Sequence, residues 1–232
     1  MSPQKTKRSA SRSSAPMYQL KITLLGVQPA IWRRLVVRGD MNLGLLHCVL
    51  QVAMGWTNSH LHQFVIGEER YTDPQLSSDM GSEAGVDRNE ETAILMELLP
   101  QAKSQFGYEY DFGDSWEHLL EVEKILAPAK ASEPWAKCLD GKRACPPDDC
   151  GGTWGYEDFL KAIKNPRNPD HESMLEWIGG HFDPERFELE HINRCLRLLK
   201  WPRTSIPGLA SVLMARDQPR GWVREPKTAR KA

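Results

Sequence analysis

The sequence lacks the features that mark membrane-spanning, exported or disulfide-rich proteins. No apolar run approaches the roughly 18 to 20 residues of a membrane-spanning helix, and no apolar segment follows the basic N-terminus as in a signal peptide. Cysteine is scarce: the 232 residues include five, an odd number that argues against a disulfide framework. We therefore expect a cytoplasmic protein without membrane contact, whose cysteines bind metal, react as thiols or are buried.

Catalytic signatures are also missing. No serine or threonine stands in a nucleophile elbow, and no glycine-rich phosphate loop follows a predicted strand; the segment CGGTWG lacks the lysine that such a loop uses. No segment supplies a nucleophile, a base and an orienting group together. These absences favour a non-catalytic protein but leave metal-assisted chemistry open.

Charge is plentiful but separated along the chain. Residues 1–39 carry eight basic and no acidic side chains, and residues 197–232 carry nine basic against two acidic ones. Because the whole chain has a net charge of −1, the residues between these ends carry −16. We predict a disordered basic tail over 1–16, one domain over 17–200 and a poorly packed basic tail over 201–232. The tails are either solvated or weak, non-specific contacts for nucleic acid.

Hydrophobic periodicity predicts the α+β class. Alternating apolar residues predict strands in a hairpin over 18–38, in the segment HLHQFVIG and in a hairpin over 105–126. Helical spacing predicts an early helix between Asn42 and Gly55 and, after a loop, helices over 156–164, 171–178 and about 184–200. We expect an antiparallel or mixed sheet from two hairpins plus one strand, packed with one early helix and three C-terminal helices.

The second hairpin, FGYEYDFGDSWEHLLEVEKIL, carries a stripe of aromatic side chains on one face. A three-residue connection over 113–115 keeps the apolar set on one side, and it places Phe112 opposite Trp116 and Tyr110 opposite His118. The stripe is either a core whose polar tips find partners or a ligand pocket with polar handles among stacking surfaces. The predicted pocket residues here are Tyr108, Tyr110, Phe112, Trp116 and His118.

Further polar groups are expected near this hairpin. His60 and His62 are two residues apart, so on a strand they share one face, and His47 on the early helix can approach them. We assign all three to the predicted pocket, as a polar lining or a metal-binding cluster. Asp111 and Glu117 are expected on the opposite face as adjacent carboxylates, which hold a cation or are simply solvated.

The loop after the second hairpin carries enough donors for a zinc ion, the one cofactor that the sequence raises. Three cysteines lie within thirteen residues, beside Asp148 and Asp149. Their spacing differs from that of standard zinc motifs, which begin with two cysteines two to four residues apart. The alternative is a stiff loop with partly buried thiols. The candidate zinc ligands are Cys138, Cys145, Cys150 and His171.

Five segments together resemble a known family. In chain order they are IWRRLVV, LLHCVLQVAMGWTNSHLHQF, YDFGDSWEHLLEVEKI, CLDGKRACPPDDCGGTWGYEDFLKAI and WIGGHFDPERFELEHIN. They resemble the plasmid pRiA4b ORF-three-like family of bacterial and archaeal proteins over roughly residues 17–200. The resemblance implies a single α+β domain often carried near mobile elements, and it implies no catalytic residue. Some relatives bear a resolvase-like label, but this sequence lacks the serine and arginine set of a serine resolvase.

Three function classes follow from these observations. We favour a non-catalytic binding or interaction module, in which the aromatic and histidine pocket binds a small ligand or a protein partner. One alternative is a metal-assisted hydrolase that uses the histidines or the cysteine and aspartate loop. The other is a nucleic-acid accessory protein that acts through its basic tails.

The basic tails generate the first prediction. If they contact a polyanion, the full chain should bind duplex DNA weakly and without sequence preference at low salt, and negligibly at about 0.15 M salt, because the acidic body opposes approach to phosphates. Fluorescence anisotropy measures this, with residues 17–200 alone as the control. Binding that survives in the shortened chain would place the DNA site on the folded domain and contradict a role for the tails.

Overall fold

The structure, a computed structural model, describes residues 15–73, 87–130 and 133–199. Residues 1–14 of the first predicted tail and all of the second, 201–232, therefore lie outside the described residues. Ala15 and Pro16, which the sequence assigns to the first tail, belong to the domain: Ala15 is buried, and the Pro16 carbonyl accepts a hydrogen bond from the Gly39 N–H at 2.8 Å. No helix within these ranges is long and apolar enough to cross a membrane.

One mixed sheet of eight strands forms the centre of the described chain, and five helices accompany it. The strands are β1 (Met17–Leu24), β2 (Trp32–Arg38), β3 (His62–Ile66), β4 (Glu69–Thr72), β5 (Asp87–Asn89), β6 (Gln105–Tyr110), β7 (Trp116–Leu126) and β8 (Ala136–Lys142). The helices are α1 (Leu43–Met54), α2 (Leu95–Leu98), α3 (Gly152–Lys164), α4 (His171–Ile178) and α5 (Leu189–Leu198). Across the sheet the order is β5-β4-β3-β6-β7-β1-β2-β8, with β4 and β5 parallel and the other pairs antiparallel. The predicted α+β class is confirmed.

The central strands bury one face, against which α1 packs. In β1, Leu20 and Ile22 are fully buried, while the residues between and beside them are half-buried. Leu46 and Leu50 of α1 are likewise fully buried and belong to the same apolar core. This arrangement matches the period-two pattern of the strands and the helical spacing of α1 in the sequence.

Local sequence determines both ends of α1. Asn42 is the N-cap: its Oδ1 accepts a hydrogen bond from the Leu45 N–H at 2.9 Å. Gly55 follows the helix with φ of 114°, a left-handed conformation that glycine adopts readily, and its N–H donates to the Gln51 carbonyl. The predicted boundaries of this helix are confirmed.

A buried arginine ties three elements together at one end of the sheet. Arg33 on β2 is 2% exposed, and its guanidinium donates to the carbonyls of Ala53 at 2.7 Å and Met54 at 3.4 Å. A third bond, of 2.9 Å, reaches the Lys142 carbonyl at the end of β8. The last carbonyls of a helix lack intrahelical partners and carry partial negative charge, so a cation compensates them. The segments that follow α1 and β8 therefore start from fixed positions.

The second hairpin differs from its predicted register by two residues. Tyr110 pairs with Trp116, and not with His118, because the connection spans five residues, 111–115, instead of three. A shift of two positions preserves the alternation of faces, so the aromatic stripe remains buried. Phe112, predicted to belong to the pocket, lies in the turn instead and is 37% exposed.

Asp111 is a further correction in the same turn. It was expected outside with Glu117, but it is 6% exposed, while Glu117 is exposed on the outer face. Asp111 adopts φ of 59°, and its Oδ1 accepts hydrogen bonds from the N–H groups of Gly113 at 3.0 Å and Asp114 at 3.3 Å. The aspartate thus closes the turn with its own side chain.

The sequence pattern does not predict β4, β5 or β8, and the predicted start of the last helix, at about residue 184, lies before the observed start at Leu189. With four and three residues, β4 and β5 are too short to show an alternating pattern. In β8, Ala136 and Cys138 point inward, but they stand in a segment whose proline and glycine content indicates a loop. The last helix begins at Leu189; the carbonyl of Pro184, its predicted first residue, instead accepts a bond from the Ala144 N–H at 3.0 Å.

A side chain covers the outer edge of β8. The Oδ1 atom of Asn193 on α5 accepts a hydrogen bond from the Cys138 N–H at 2.9 Å, and its Nδ2 donates to the Cys138 carbonyl at 2.9 Å. The carboxamide therefore supplies the pair of bonds that a further strand would make at this position.

Trp116 generates a prediction on stability. Trp116→Ala should lower the free energy of unfolding by about 3 to 5 kcal/mol, because it removes a large, fully buried side chain and leaves a cavity. Phe112→Ala is the control from the same hairpin, with an expected loss of about 1 kcal/mol or less because its ring is exposed. Urea unfolding followed by circular dichroism measures both. Equal losses would contradict the observed register.

Candidate metal centre

A closed ring of hydrogen bonds in the interior joins α1, β6 and the segment after α1. Asn58 Oδ1 accepts a bond from His47 Nε2 at 2.6 Å, so the other nitrogen, Nδ1, accepts one from the Tyr108 hydroxyl at 2.9 Å. The Tyr108 oxygen accepts from Gln51 Nε2 at 3.0 Å, and Gln51 Oε1 accepts from the Asn58 N–H at 2.9 Å. These polar tips satisfy one another, and the ring selects one neutral tautomer of His47.

A second imidazole stacks on His47. The ring centroids of His47 and His62 are 3.4 Å apart, and their planes differ by 6°. Burial and the neighbouring ring of His62 lower the pKa of His47 to about 3, and burial lowers the pKa of His62 to about 4. His62 Nε2 lies 2.8 Å from Glu90 Oε2, and burial raises the pKa of Glu90 to about 7. Both imidazoles are therefore neutral at physiological pH.

The other interior members of the predicted pocket lie beside these groups. Tyr110, Trp116 and His118 are at most 2% exposed, and burial lowers the pKa of His118 to about 4. Trp56, from the segment after α1, packs among them, with its ring centroid 4.7 Å from that of Tyr110 and 5.1 Å from that of His118. We call the buried set the polar floor; it consists of His47, His62, Tyr108, Tyr110, Trp116 and His118.

His60, the histidine of the predicted pocket that reaches the surface, lies between two carboxylates. Its Nδ1 is 3.6 Å from Asp111 Oδ2, and its Nε2 is 3.2 Å from Asp149 Oδ1. The Nε2 atom is buried and has no hydrogen-bond partner of adequate geometry. Ligand atoms of these three residues lie within 4.8 Å of one another. In the described part of the chain, no other trio of His, Cys, Asp or Glu side chains is arranged in this way.

Three loops converge to form this cluster, and each contains a non-glycine residue in the left-handed region. The φ angles are 58° for Asn58, 59° for Asp111 and 60° for Asp149. Such residues cost of order 1 kcal/mol each and persist where surrounding contacts fix them, often at functional sites. One of these contacts is the bond of 3.1 Å from the Gly151 N–H to Asp114 Oδ2, which joins the second loop to the third.

A third carboxylate lies beside the cluster. Asp148 Oδ2 accepts a bond from the Thr57 hydroxyl at 2.7 Å, and the Tyr110 hydroxyl is a further hydrogen-bond partner of this carboxylate. Burial raises the pKa of Asp148. The indole N–H of Trp56 donates to the Pro146 carbonyl at 3.1 Å and so joins the first loop to the third. The acidic loop is therefore held against the segment that carries the candidate histidine.

The predicted zinc ligands do not converge. No three of the side chains of Cys138, Cys145, Cys150 and His171, all within the described ranges, bring ligand atoms within 4.8 Å of one another. His171 Nδ1 instead donates to the Ala162 carbonyl at 2.9 Å. Burial raises the pKa of Cys138 to about 11 and that of Cys150 to about 12, so both groups are neutral thiols in the metal-free protein. Among the described residues, the donor atoms that lie close enough to share one ion are those of His60, Asp111 and Asp149.

Comparison with known proteins supplies a family for this fold. A family model described as "Plasmid pRiA4b ORF-3-like protein" matches residues 16–191. The chain belongs to this family. "Uncharacterized protein y4hQ" of Sinorhizobium fredii (strain NBRC 101917 / NGR234) is 34% identical over 192 residues, which are 82% of this chain and 96% of that protein. The crystal structure of MM3350, a protein of unknown function from Methanosarcina mazei Go1, has a TM-score of 0.67 and 32% identity, and the match covers 77% of this chain and 98% of that one.

The candidate ligands fall in the segments on which the resemblance to the pRiA4b ORF-3-like family rests. His60 is in TNSHLHQF, Asp111 in YDFGDSWEHLL and Asp149 in CPPDDCGG. Sequence reasoning raised each residue but grouped it elsewhere: His60 with the other histidines, Asp111 with Glu117, and Asp149 with the cysteines. What brings these residues together is the left-handed conformation at the two aspartates, which cannot be predicted from hydrophobic periodicity.

Glu90 generates a prediction on the pH dependence of stability. Because burial raises its pKa from 4.5 to about 7, the folded protein keeps a proton that the unfolded chain releases, and Glu90 costs stability as the pH rises through this range. Glu90→Gln removes this titration while retaining a hydrogen-bond partner for His62. The variant should therefore be more stable than the parent at pH 7. This advantage in unfolding free energy should shrink by about 2 kcal/mol between pH 7 and pH 5.

The histidine contributions cancel in this comparison between pH 5 and pH 7, because the folded-state pKa values of His47 and His62, about 3 and about 4, keep both rings neutral over that range. Glu90 raises the pKa of His47, so removing its charge keeps that ring neutral in the variant as well. Urea unfolding at several pH values provides the measurement. Glu91→Gln, at an exposed neighbouring position, is the control and should follow the parent. A Glu90→Gln profile parallel to that of the parent would show that Glu90 does not titrate near pH 7.

Proposed function

We propose that the protein is a binding module whose ligand site is a divalent-metal centre formed by His60, Asp111 and Asp149. The observation that carries this proposal is the convergence of one imidazole nitrogen and two carboxylate oxygens within 4.8 Å from three separate loops. Atoms bound to one ion stand about 3 Å apart or slightly more, since metal–nitrogen and metal–oxygen bonds measure about 2.0 to 2.2 Å. The 3.2 Å between His60 Nε2 and Asp149 Oδ1 meets this requirement, whereas Asp111 lies nearest the other ring nitrogen, Nδ1, at 3.6 Å and must shift toward Nε2 when an ion binds.

The donor set indicates which ions suit the site. One imidazole and two carboxylates form a mixed nitrogen and oxygen set without a thiolate, which suits Mn²⁺, Fe²⁺ or Zn²⁺. Ca²⁺ takes six to eight oxygen ligands, more than these residues supply. Two carboxylates also balance the charge of a dication, so binding removes the repulsion between Asp111 and Asp149.

Exposure indicates that a bound ion can accept a further ligand. The side chain of Asp149 is 72% exposed and that of His60 is 25% exposed, whereas the side chain of Asp111 is only 9% exposed. Three protein ligands with an open outer side are typical of metal sites that exchange water for a ligand or substrate, unlike closed structural sites. The ligand that such a centre takes carries an oxygen donor, as in a carboxylate or phosphate group.

A metal-assisted hydrolase is the second candidate, and Asp148 favours it. This carboxylate lies beside the cluster, is held by the hydroxyls of Thr57 and Tyr110, and has its pKa raised by burial. A carboxylate of that kind can accept a proton from a metal-bound water. The nucleic-acid alternative rests on the basic ends of the chain, and residues 1–14 and 200–232 lie outside the described residues. A cytoplasmic location stays a prediction from the sequence.

Metal titration tests the proposal. The full chain, stripped with a chelator, should bind one Mn²⁺ per molecule, measured by electron paramagnetic resonance and calorimetry. Asp149→Asn should weaken binding by at least about tenfold, because it replaces a charged ligand with a neutral one. This side chain is largely exposed, so the variant should keep the unfolding free energy of the parent within about 0.5 kcal/mol.

Glu117→Gln is the matched control for that titration. Glu117 is an exposed acid on the strand after the same hairpin turn, outside the three-residue cluster, and its substitution should leave Mn²⁺ affinity unchanged. The proposal fails if the parent binds no Mn²⁺, or if Asp149→Asn binds it as tightly as the parent. His60 would then be a partner in an ion pair with the two aspartates.

A further inference from the structure

A groove between α3 and α4 opens next to the candidate metal centre. We call it the α3–α4 groove; its volume is about 320 Å³, within the size range of small-molecule sites. Its apolar lining comes from Phe159 and Ala162 on α3 and from Met174 and Trp177 on α4. Asp149 lines the same groove, so one carboxylate belongs both to the cluster around His60 and to this cavity.

The apolar side of the groove is an aromatic surface held in place from behind. Trp177 is 46% exposed, and its ring meets that of Phe159 edge to face at a centroid distance of 5.6 Å. Phe159 is buried and contacts Phe182 at 5.3 Å, also at a steep angle of 70°. Trp177 is therefore supported by the core, while part of its indole remains available to a ligand.

The rim of the groove is acidic. Three aspartates, Asp149, Asp158 and Asp170, are among the lining residues, which include no lysine or arginine. Lys161 partly balances Asp158 at 3.1 Å, but it lies equally close to Glu157 on the exposed side of α3. Asp170 makes no ion pair within the described ranges.

We propose that the α3–α4 groove binds a small organic cation, an ammonium or guanidinium group carried on an apolar or aromatic body. Trp177 offers an exposed indole, which attracts a cation over its face, and the rim carboxylates add charge complementarity. An anionic ligand of the same shape would be repelled. When a metal ion neutralises Asp149, the charges of Asp158 and Asp170 remain for the ligand. Binding of the cation does not require the metal, so the two proposals can fail separately.

Three probes of similar shape test the charge preference: phenethylammonium, 2-phenylethanol and 3-phenylpropionate. Each is titrated into the metal-free full chain, and the indole N–H signal of Trp177 is followed by nuclear magnetic resonance after assignment with Trp177→Phe. Phenethylammonium should shift this signal saturably and bind at least about threefold more tightly than the alcohol, with the carboxylate weakest. Equal binding of the amine and the alcohol, or no saturable shift with the amine, would overturn the proposal.

Substitutions at two exposed acidic residues near α4 provide a matched pair of variants. Asp170→Asn should weaken phenethylammonium binding by about threefold and leave that of 2-phenylethanol unchanged, because it removes a rim charge without changing the aromatic surface. Glu172→Gln is also exposed but lies outside the lining, and it should change neither. An equal effect of both variants would indicate a general charge effect and contradict a site in the groove. Loss of Mn²⁺ binding with amine binding intact would contradict the metal centre alone.

Discussion

The burial of one guanidinium, that of Arg33, determines how the functional end of the molecule is assembled. A charged group that is 2% exposed is tolerated only where its donors find acceptors, and these acceptors are the terminal carbonyls of α1 and the carbonyl of Lys142. The same bonds fix the points at which the segments after α1 and after β8 begin. One segment carries His60 and the other carries Asp149, so the distance between these side chains depends on a contact that neither residue makes.

The polar floor has an electrostatic consequence for the candidate metal centre. Burial keeps His47, His62 and His118 uncharged at neutral pH, and the hydrogen-bond ring around Tyr108 maintains a polar interior without net positive charge. Cationic imidazoles at these positions would repel a dication bound at His60. Desolvation therefore makes the histidine-rich interior compatible with a cation site at the surface above it.

The sequence predicts the parts of the fold that depend on local periodicity and capping. The α+β class, the helix between Asn42 and Gly55, and the buried aromatic face of β6 and β7 follow from such signals, and the structure confirms them. The register of that hairpin cannot be predicted from these signals. The Asp111 carboxylate accepts two backbone hydrogen bonds that stabilise a longer turn, and the longer turn leaves the alternation of buried and exposed faces unchanged. Short strands in polar or proline-rich segments are also missed, since their pairing is decided by distant partners.

For the candidate site, sequence reasoning identified residue types but not their neighbours. The sequence groups His60 with His47 and His62, whereas the carboxylates that His60 meets come from turns whose backbone angles composition does not reveal. The cysteines show the same limit. Their proximity in sequence predicts a zinc loop, but Cys138 is buried on β8, and no three of the predicted ligands bring donor atoms within 4.8 Å of one another in the described chain.

The carboxamide of Asn193 affects whether the sheet edge can pair with a strand of another molecule. An exposed strand edge is a template for adding a strand from another molecule, and β8, with seven residues, is the longer of the two edge strands. Asn193 occupies both backbone groups of Cys138 on the outward side of β8, and the opposite edge, β5, is only three residues long. The outer edge of β8 is thus interrupted at Cys138 and the opposite edge is short, two features by which natural sheets limit pairing with another chain.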